Sequence, residues 1–179
     1  MKINEIFYSI QGEGIYTGVP MVFVRLQGCN LGPHCSWCDT KYAQDLVGGK
    51  EISTEDIFKQ VFDLQPYYIP WVCITGGEPL YQPTELYELV RLFKRNGLSI
   101  EVETNGSIPK PPWWALVDSW VADIKCPSSG VCGTSLEQDW FDTRFRDQVK
   151  LVVGTKDDLD FARKVICRNR AKNPIVLVS

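Results

Sequence analysis

The chain has 179 residues, a length typical of one domain, and its 44% hydrophobic and 23% charged residues are ordinary for a globular protein. Its net charge of −3 argues against broad electrostatic binding to nucleic acid or to an anionic membrane. No apolar run approaches the roughly 18 residues that a transmembrane helix needs, which argues against a membrane-spanning protein.

Apolar, β-branched runs alternate with amphipathic segments along the chain. The predicted elements, in chain order, are strands at 3–10 and 21–27, a helix at 54–64, a strand at 71–75, a helix at 83–96, strands at 99–103, 120–125 and 148–153, a helix at 157–169 and a strand at 175–178. Ser53 or Thr54 is expected to cap the first helix, and Gly97 to end the second. This alternation predicts parallel β/α units with functional residues at the strand ends.

Three cysteines, Cys29, Cys35 and Cys38, lie within ten residues, directly after a predicted buried strand. Three thiolates can hold a metal and leave one coordination position open. One interpretation is a closed zinc site with His34, the only histidine, as fourth ligand. The other is an iron–sulfur cluster whose fourth iron has no protein ligand. This segment alone leaves the two about equal.

The chain contains seven cysteines, an odd number that disulfides alone would not use up. Met1 leads directly into a predicted strand, so no secretory signal is visible. Reduced, metal-binding thiols in the cytoplasm are therefore expected. Cys73, inside an apolar strand, is expected to be a small core residue.

Three further features each allow a functional and a structural interpretation. Gly76-Gly77-Glu78-Pro79 follows a predicted strand and is either a tight turn or a ligand-binding backbone with a carboxylate for an ammonium group. Arg25 interrupts an apolar strand and needs an anion, either a protein carboxylate or a substrate. Thr40 is either a helix cap or a magnesium ligand.

Taken together, these motifs resemble the radical S-adenosylmethionine (SAM) superfamily. There, a three-cysteine motif with an aromatic residue before its last cysteine, here Trp37, precedes a Gly-Gly-Glu-Pro strand end. The spacing here is C-x5-C-x2-C, whereas C-x3-C-x2-C is common in the superfamily. The resemblance implies an α/β fold, an incomplete parallel (β/α) barrel.

Within that superfamily, the chain resembles the 7-carboxy-7-deazaguanine synthase family. The segments that carry this resemblance are 9–14, 18–20, 23–30, 38–40, 75–79, 103–106 and 123–125. The resemblance implies a carbon–nitrogen lyase that converts 6-carboxy-5,6,7,8-tetrahydropterin to 7-carboxy-7-deazaguanine with loss of ammonia. That product is a precursor of queuosine, a modified tRNA nucleoside.

The same resemblance implies roles for particular residues. Cys29, Cys35 and Cys38 would hold a [4Fe-4S] cluster, and Thr40 would bind magnesium. Substrate would contact Ile10, Gln11, Gly12, Glu13, Arg25 and Thr75. SAM would contact Trp37, Gly77, Glu78, Glu103, Asn105, Asp123, Ile124 and Lys125. No catalytic side chain is assigned, because the cofactors supply the radical.

We expect a single domain over 1–179 that lacks the C-terminal segment usual in the family. A homodimer is expected because so short a barrel leaves edges and apolar surface to cover. The expected partners are the pterin and an electron donor such as flavodoxin, with no direct contact to nucleic acid. Two alternatives stay open: a radical-generating activase of a partner protein, and a zinc-stabilised, non-enzymatic binding module.

Overall fold

The computed structural model describes residues 1–65, 69–170, 172 and 174–179. It contains one eight-stranded sheet in the order β3-β1-β2-β4-β5-β6-β7-β8. The elements are β1 (Lys2–Ile10), β2 (Pro20–Leu26), β3 (Lys50–Glu51), α1 (Thr54–Leu64), β4 (Trp71–Gly76), α2 (Pro83–Arg95), β5 (Ser99–Thr104), β6 (Ser119–Asp123), α3 (Glu137–Phe141), β7 (Gln148–Leu151), α4 (Lys156–Asn169) and β8 (Ile175–Val178). No helix within these residues is long and apolar enough to cross a bilayer.

The strands from β2 through β8 pair in parallel, apart from the short β3, and the sheet does not close on itself. The expected incomplete, parallel barrel is therefore confirmed. The first strand differs, because β1 pairs antiparallel with both β2 and β3. The connection from Ile10 to Pro20 is too short for a crossover, which needs a dozen or more residues. Gln11 and Val19 close it as a hairpin through a backbone hydrogen bond of 2.9 Å.

Local sequence signals account for the long helices. The side chain of Ser53 accepts a hydrogen bond from the backbone of Asp56 and caps α1, as expected. The apolar face of α2 is fully buried, and Gly97 follows the helix with φ of +77°. Neither β3 nor α3 was predicted, because β3 has two residues and α3 has five, which is too few to show a hydrophobic period. Strand β6 ends at Asp123, so Ile124 and Lys125 lie beyond it.

The two faces of the sheet differ because side chains alternate along each strand. One face, with Val22, Val24 and Leu26 on β2, forms the main core with the helices. The opposite face begins as a small apolar cluster of Met21, Phe23 and Cys73. Toward the carboxyl ends of the parallel strands this second face becomes polar, and the candidate site lies there.

Candidate active site

A cavity of about 600 Å³ opens on the polar face, at the carboxyl ends of the parallel strands. Its wall combines the cysteine loop (residues 28–40), the hairpin after β1 and the ends of β2, β4, β5, β6 and β7. All of the site residues predicted from the sequence line this cavity except Glu78 and Ile124. The fold thus brings Ser9 and Ser179, which are 170 positions apart in the chain, to the same cavity.

Hydrogen bonds hold the cysteine loop near its start and again at Ser36. Cys29 donates its backbone N–H to Gln44 at 2.9 Å. Ser36 donates its backbone N–H to Ser129 at 2.9 Å and its hydroxyl to the Ser128 carbonyl at 2.6 Å. The loop is therefore held by the turn at residues 127–129 and by the segment that follows the loop itself.

The three cysteines are half-buried free thiols. Burial raises the pKa of Cys29 and of Cys35, so each thiol needs a cation to ionise readily. Three thiolates on one zinc ion would lie about 3.8 Å apart. The sulfurs here do not all lie within 4.8 Å of one another. At least one pair of these sulfurs is therefore farther apart than the ligands of one zinc ion would be. His34 is exposed and also lines the cavity.

The Gly-Gly pair lets the end of β4 pack against the backbone of the cysteine loop. A Cβ on Gly77 would lie 2.2 Å from the Gly28 carbonyl oxygen, and Gly76 has φ of +138°. Glu78 donates its backbone N–H to the same Gly28 carbonyl at 2.8 Å. Although both glycines line the cavity, the backbone that they approach closely is the chain's own.

Glu78 lies behind the cavity wall and is fully buried. Its carboxylate accepts hydrogen bonds from Leu80 N–H, the Thr104 hydroxyl and Asn105 N–H at 2.9, 2.8 and 2.7 Å. Burial raises its pKa to about 7. The expected contact with an ammonium group therefore finds no exposed carboxylate here, and Glu78 instead fixes the residues that follow β5. Ile124 likewise faces the core on the helix side.

Asn105 links the end of β5 to the cysteine loop. Its side-chain amide donates to Asn30 Oδ1 at 2.9 Å and lies 3.9 Å from the sulfur of Cys29. Its oxygen accepts from the backbone of Ser107 at 2.9 Å. With its amide held in this way, Asn105 presents a fixed polar surface beside the first cysteine.

Gln11 enters a buried polar network under the cavity. Its amide nitrogen donates to Glu101 at 2.5 Å and to Glu103 at 3.1 Å, while the Thr75 hydroxyl donates to Glu103 at 2.8 Å. The ligating atoms of Cys73, Glu101 and Glu103 lie within 4.8 Å of one another. Gln11 and Gln148 donate to the two oxygens of Glu101, and Gln11 and Thr75 donate to those of Glu103, so every oxygen of the pair has a protein donor. Burial, followed by the charge of Glu103, raises the pKa of Glu101 to about 8.

Arg25 has a protein carboxylate, that of Glu5, as partner, which is one of the two interpretations left open by the sequence. Its Nε donates to Glu5 at 2.8 Å, and its guanidinium lies 5.7 Å from the ring centre of Phe7 and 5.9 Å from that of Tyr42. Within the described residues its two terminal nitrogens make no hydrogen bond, and Arg25 lines the cavity. The fork that recognises a carboxylate is therefore left available.

Thr40 occupies the N-cap position of a short turn at residues 41–43, but its hydroxyl makes no capping hydrogen bond. The hydroxyl instead lies 3.6 Å from the sulfur of Cys38, and the residue lines the cavity. The capping interpretation is therefore not supported.

A series of ion pairs lies on the cavity wall at the ends of β6 and β7. Asp123 bridges Lys125 and Lys150, and the Lys125 ammonium lies 5.1 Å from the ring centre of Trp37. Burial would raise the pKa of Asp123, but the two lysines hold it below its usual value. Lys150 was missed by the sequence analysis. Its signal was the one used for Arg25, a cation inside an apolar strand.

Comparisons with known proteins were consistent with this geometry. The family model described as the Radical SAM superfamily matches residues 23–125. The chain is 43% identical over 178 residues to a 7-carboxy-7-deazaguanine synthase of Methanospirillum hungatei, which covers 99% of the chain and 71% of the relative. It is 37% identical over 175 residues to one of Koribacter versatilis, covering 98% and 74%. The crystal structure of QueE from Escherichia coli matches with a TM-score of 0.69 at 28% identity, covering 99% of this chain and 82% of that one.

Proposed function

The chain belongs to the 7-carboxy-7-deazaguanine synthases of the radical SAM superfamily, and we propose that it converts 6-carboxy-5,6,7,8-tetrahydropterin to 7-carboxy-7-deazaguanine with loss of ammonia, as a carbon–nitrogen lyase. One observation supports this most strongly. The three cysteines, the Gly-Gly strand end and Arg25 all line a single cavity. The relatives' names favour this function over a partner-activating enzyme and over a zinc-stabilised binding module.

Enzymes of this superfamily use a [4Fe-4S] cluster and SAM. We assign Cys29, Cys35 and Cys38 as the protein ligands of the cluster. When bound, the cluster and SAM supply a carbon-centred radical by one-electron cleavage of the sulfonium. The chain's own contribution is to place SAM, through the backbone of Gly77 and the side chain of Asn105.

The remaining SAM contacts fall to the charged wall. Trp37, Asp123 and Lys125 form a connected group beside the cysteine loop. Glu103 accepts a hydrogen bond from Thr75 and lines the same cavity. Glu78 and Ile124 act from behind the wall, the first by fixing Thr104 and Asn105.

Substrate recognition is assigned to the part of the cavity formed by β2, β4 and the hairpin after β1. The terminal nitrogens of Arg25 suit the substrate carboxylate, because a guanidinium fork can bind both of its oxygens. Thr75 and Glu13, with the backbone of Ile10 and Gly12, would contact the pterin ring. The amide of Gln11 is held by Glu101 and Glu103, so Gln11 shapes the cavity floor. The hydroxyl of Thr40 would serve magnesium, which prefers oxygen ligands.

Three further parts of the proposal concern the setting of the enzyme. A small electron-carrying protein such as flavodoxin supplies the electron, and two copies of the chain form a homodimer. A thiolate-bound cluster requires a reducing compartment, and we place the enzyme in the cytoplasm on that ground.

The test is an anaerobic reaction of the reconstituted protein with the tetrahydropterin, SAM, a reductant and magnesium. We expect 7-carboxy-7-deazaguanine and ammonia to form, and iron and sulfide to be bound in equal amounts. The Cys38→Ser variant, carried through the same reconstitution, is the matched control and should give neither product. A fully loaded cluster without product would contradict the proposed reaction. Bound zinc without sulfide would contradict the cluster itself.

A further inference from the structure

Lys150 lies on the inner face of β7, with its ammonium inside the cavity and its side chain mostly buried. It donates to Glu13 at 2.6 Å and lies 3.3 Å from the carboxylate of Asp123. The pairing of β6 with β7 places Asp123 directly opposite Lys150. Glu13 reaches the same ammonium from the hairpin after β1, which is 137 residues away in the chain.

The hydrogen-bonding capacity of this pair is only partly used. An ammonium has three donors, and the two carboxylates occupy two of them. Within the described part of the chain, the second carboxylate oxygen of Glu13 accepts no hydrogen bond. The pair therefore presents one free donor next to one free acceptor, and Glu13 and Lys150 both line the cavity.

The charge around Lys150 selects what its free donor can bind. Asp123 is shared by Lys150 and Lys125, and with Glu13 and Glu103 on the same wall the carboxylates outnumber the lysines by one. A further anion at this point would be repelled, whereas a neutral carbonyl oxygen would not. The substrate carboxylate is better served by Arg25, whose terminal nitrogens are available.

A 4-oxopterin carries a matching edge. Its C4 carbonyl is an acceptor, and the neighbouring N3–H and 2-amino groups are donors. We propose, resting on the proposed function, that Lys150 donates to the C4 carbonyl while Glu13 accepts from the adjacent N–H groups, and that this pair selects 4-oxopterins over 4-aminopteridines. A site built to donate to a carbonyl rejects an analogue that offers an amino group there.

Equilibrium binding of two stable analogues tests this. The probes are 6-carboxypterin and 2,4-diaminopteridine-6-carboxylate, which share the carboxylate and differ at C4. Both are titrated into the cluster-loaded protein with SAM and magnesium, and their fluorescence is followed. We expect the wild type to bind 6-carboxypterin at least tenfold more tightly. Lys150→Met should weaken 6-carboxypterin about tenfold and change the diamino analogue by less than twofold.

Two further variants separate recognition from structure. Lys150→Gln keeps an N–H donor without the charge and should retain part of the preference for 6-carboxypterin. It also provides the test if Lys150→Met folds poorly. Lys94→Met removes a comparable lysine–carboxylate pair, to Asp118 at 2.7 Å, outside the cavity and should change neither affinity.

Each contrary result has a definite meaning. Equal weakening of both analogues in Lys150→Met would assign Lys150 a purely structural role, and an absence of preference in the wild type would overturn the proposed recognition. If neither analogue binds the wild type, the proposed function fails as well. If both bind equally and the tetrahydropterin still turns over, only the role of Lys150 fails.

Discussion

The guanidinium of Arg25 contacts the protein through its Nε, while its two terminal nitrogens are available to a ligand in the cavity. Its Nε is held by Glu5, and the rings of Phe7 and Tyr42 flank the group. Arg25→Lys keeps the positive charge but loses the planar fork, so we expect the tetrahydropterin KM to rise at least tenfold. SAM cleavage in the absence of substrate should stay within twofold, since Arg25 does not serve SAM. Parallel losses in both assays would show that Arg25 is structural.

Glu101 makes stability depend on pH in a direction that can be worked out. Its pKa is about 8 in the folded protein against 4.5 as its ordinary value, since burial and then Glu103 disfavour its ionised form. The folded state therefore holds a proton that the unfolded state has lost. The stability linked to that proton is complete below pH 4.5 and disappears as the pH rises toward 8, by about 1 kcal/mol per pH unit.

Glu101→Gln removes this titration while keeping an acceptor for Gln11. We expect the free energy of unfolding to fall less steeply between pH 5.5 and 8 than it does in the wild type. Urea unfolding of the cluster-free, reduced protein at several pH values measures the slope. Glu88→Gln, on the exposed side of α2, is the control and should leave the slope unchanged. Identical slopes in the Glu101 variant and the wild type would refute the assignment.

The packing of β4 on the cysteine loop depends on one glycine. Gly77→Ala would place a Cβ 2.2 Å from the Gly28 carbonyl, so the backbone before Cys29 must move. We expect less iron bound per chain after reconstitution and a loss of about 1–3 kcal/mol in the free energy of unfolding. Gly154→Ala is the matched control, because its Cβ meets its nearest atoms at an ordinary 3.8 Å. Full iron loading of Gly77→Ala would show that the contact is dispensable.

Elements that are long enough to show a hydrophobic period, or that carry a local capping signal, could be predicted from the sequence. The buried stripe of α2, the Ser53 cap of α1 and the glycine that ends α2 all act within a few residues. Short elements could not, because β3 and α3 are defined by their neighbours in space. The antiparallel pairing of β1 required recognising that the hairpin after it is too short for a crossover.

The site residues also divide into those that a local motif predicts and those that only the fold brings together. The cysteines and the Gly-Gly pair belong to short motifs and were predicted. Lys150 meets Glu13 across 137 residues, and Gln11 meets Glu101 across 90, so no local pattern reports either contact. Glu78 was predicted to contact a ligand, but its carboxylate is buried and accepts three hydrogen bonds from the protein. The short motif does not reveal these donors.

At the scale of the whole molecule, the cavity wall is assembled from the ends of β2, β4, β5, β6 and β7 together with the cysteine loop. Such a site does not exist in the unfolded chain, so any ligand that binds it stabilises the entire fold. The cysteine loop alone makes hydrogen bonds to residues 44, 105, 128 and 129. Loading the cavity should therefore be visible in global unfolding.

The expected size of this effect follows from mass action. SAM at 100 times its Kd should raise the free energy of unfolding of the cluster-loaded protein by about 2.7 kcal/mol, which is a Tm increase of about 5–10 °C. Anaerobic scanning calorimetry at fixed protein concentration measures it. A variant with Cys29, Cys35 and Cys38 all changed to Ser is the control, and its Tm should respond little to SAM, since the cluster's open iron is then missing. An equal increase in that variant would mean that SAM is held without the cluster, and the assignment of the three cysteines would fall.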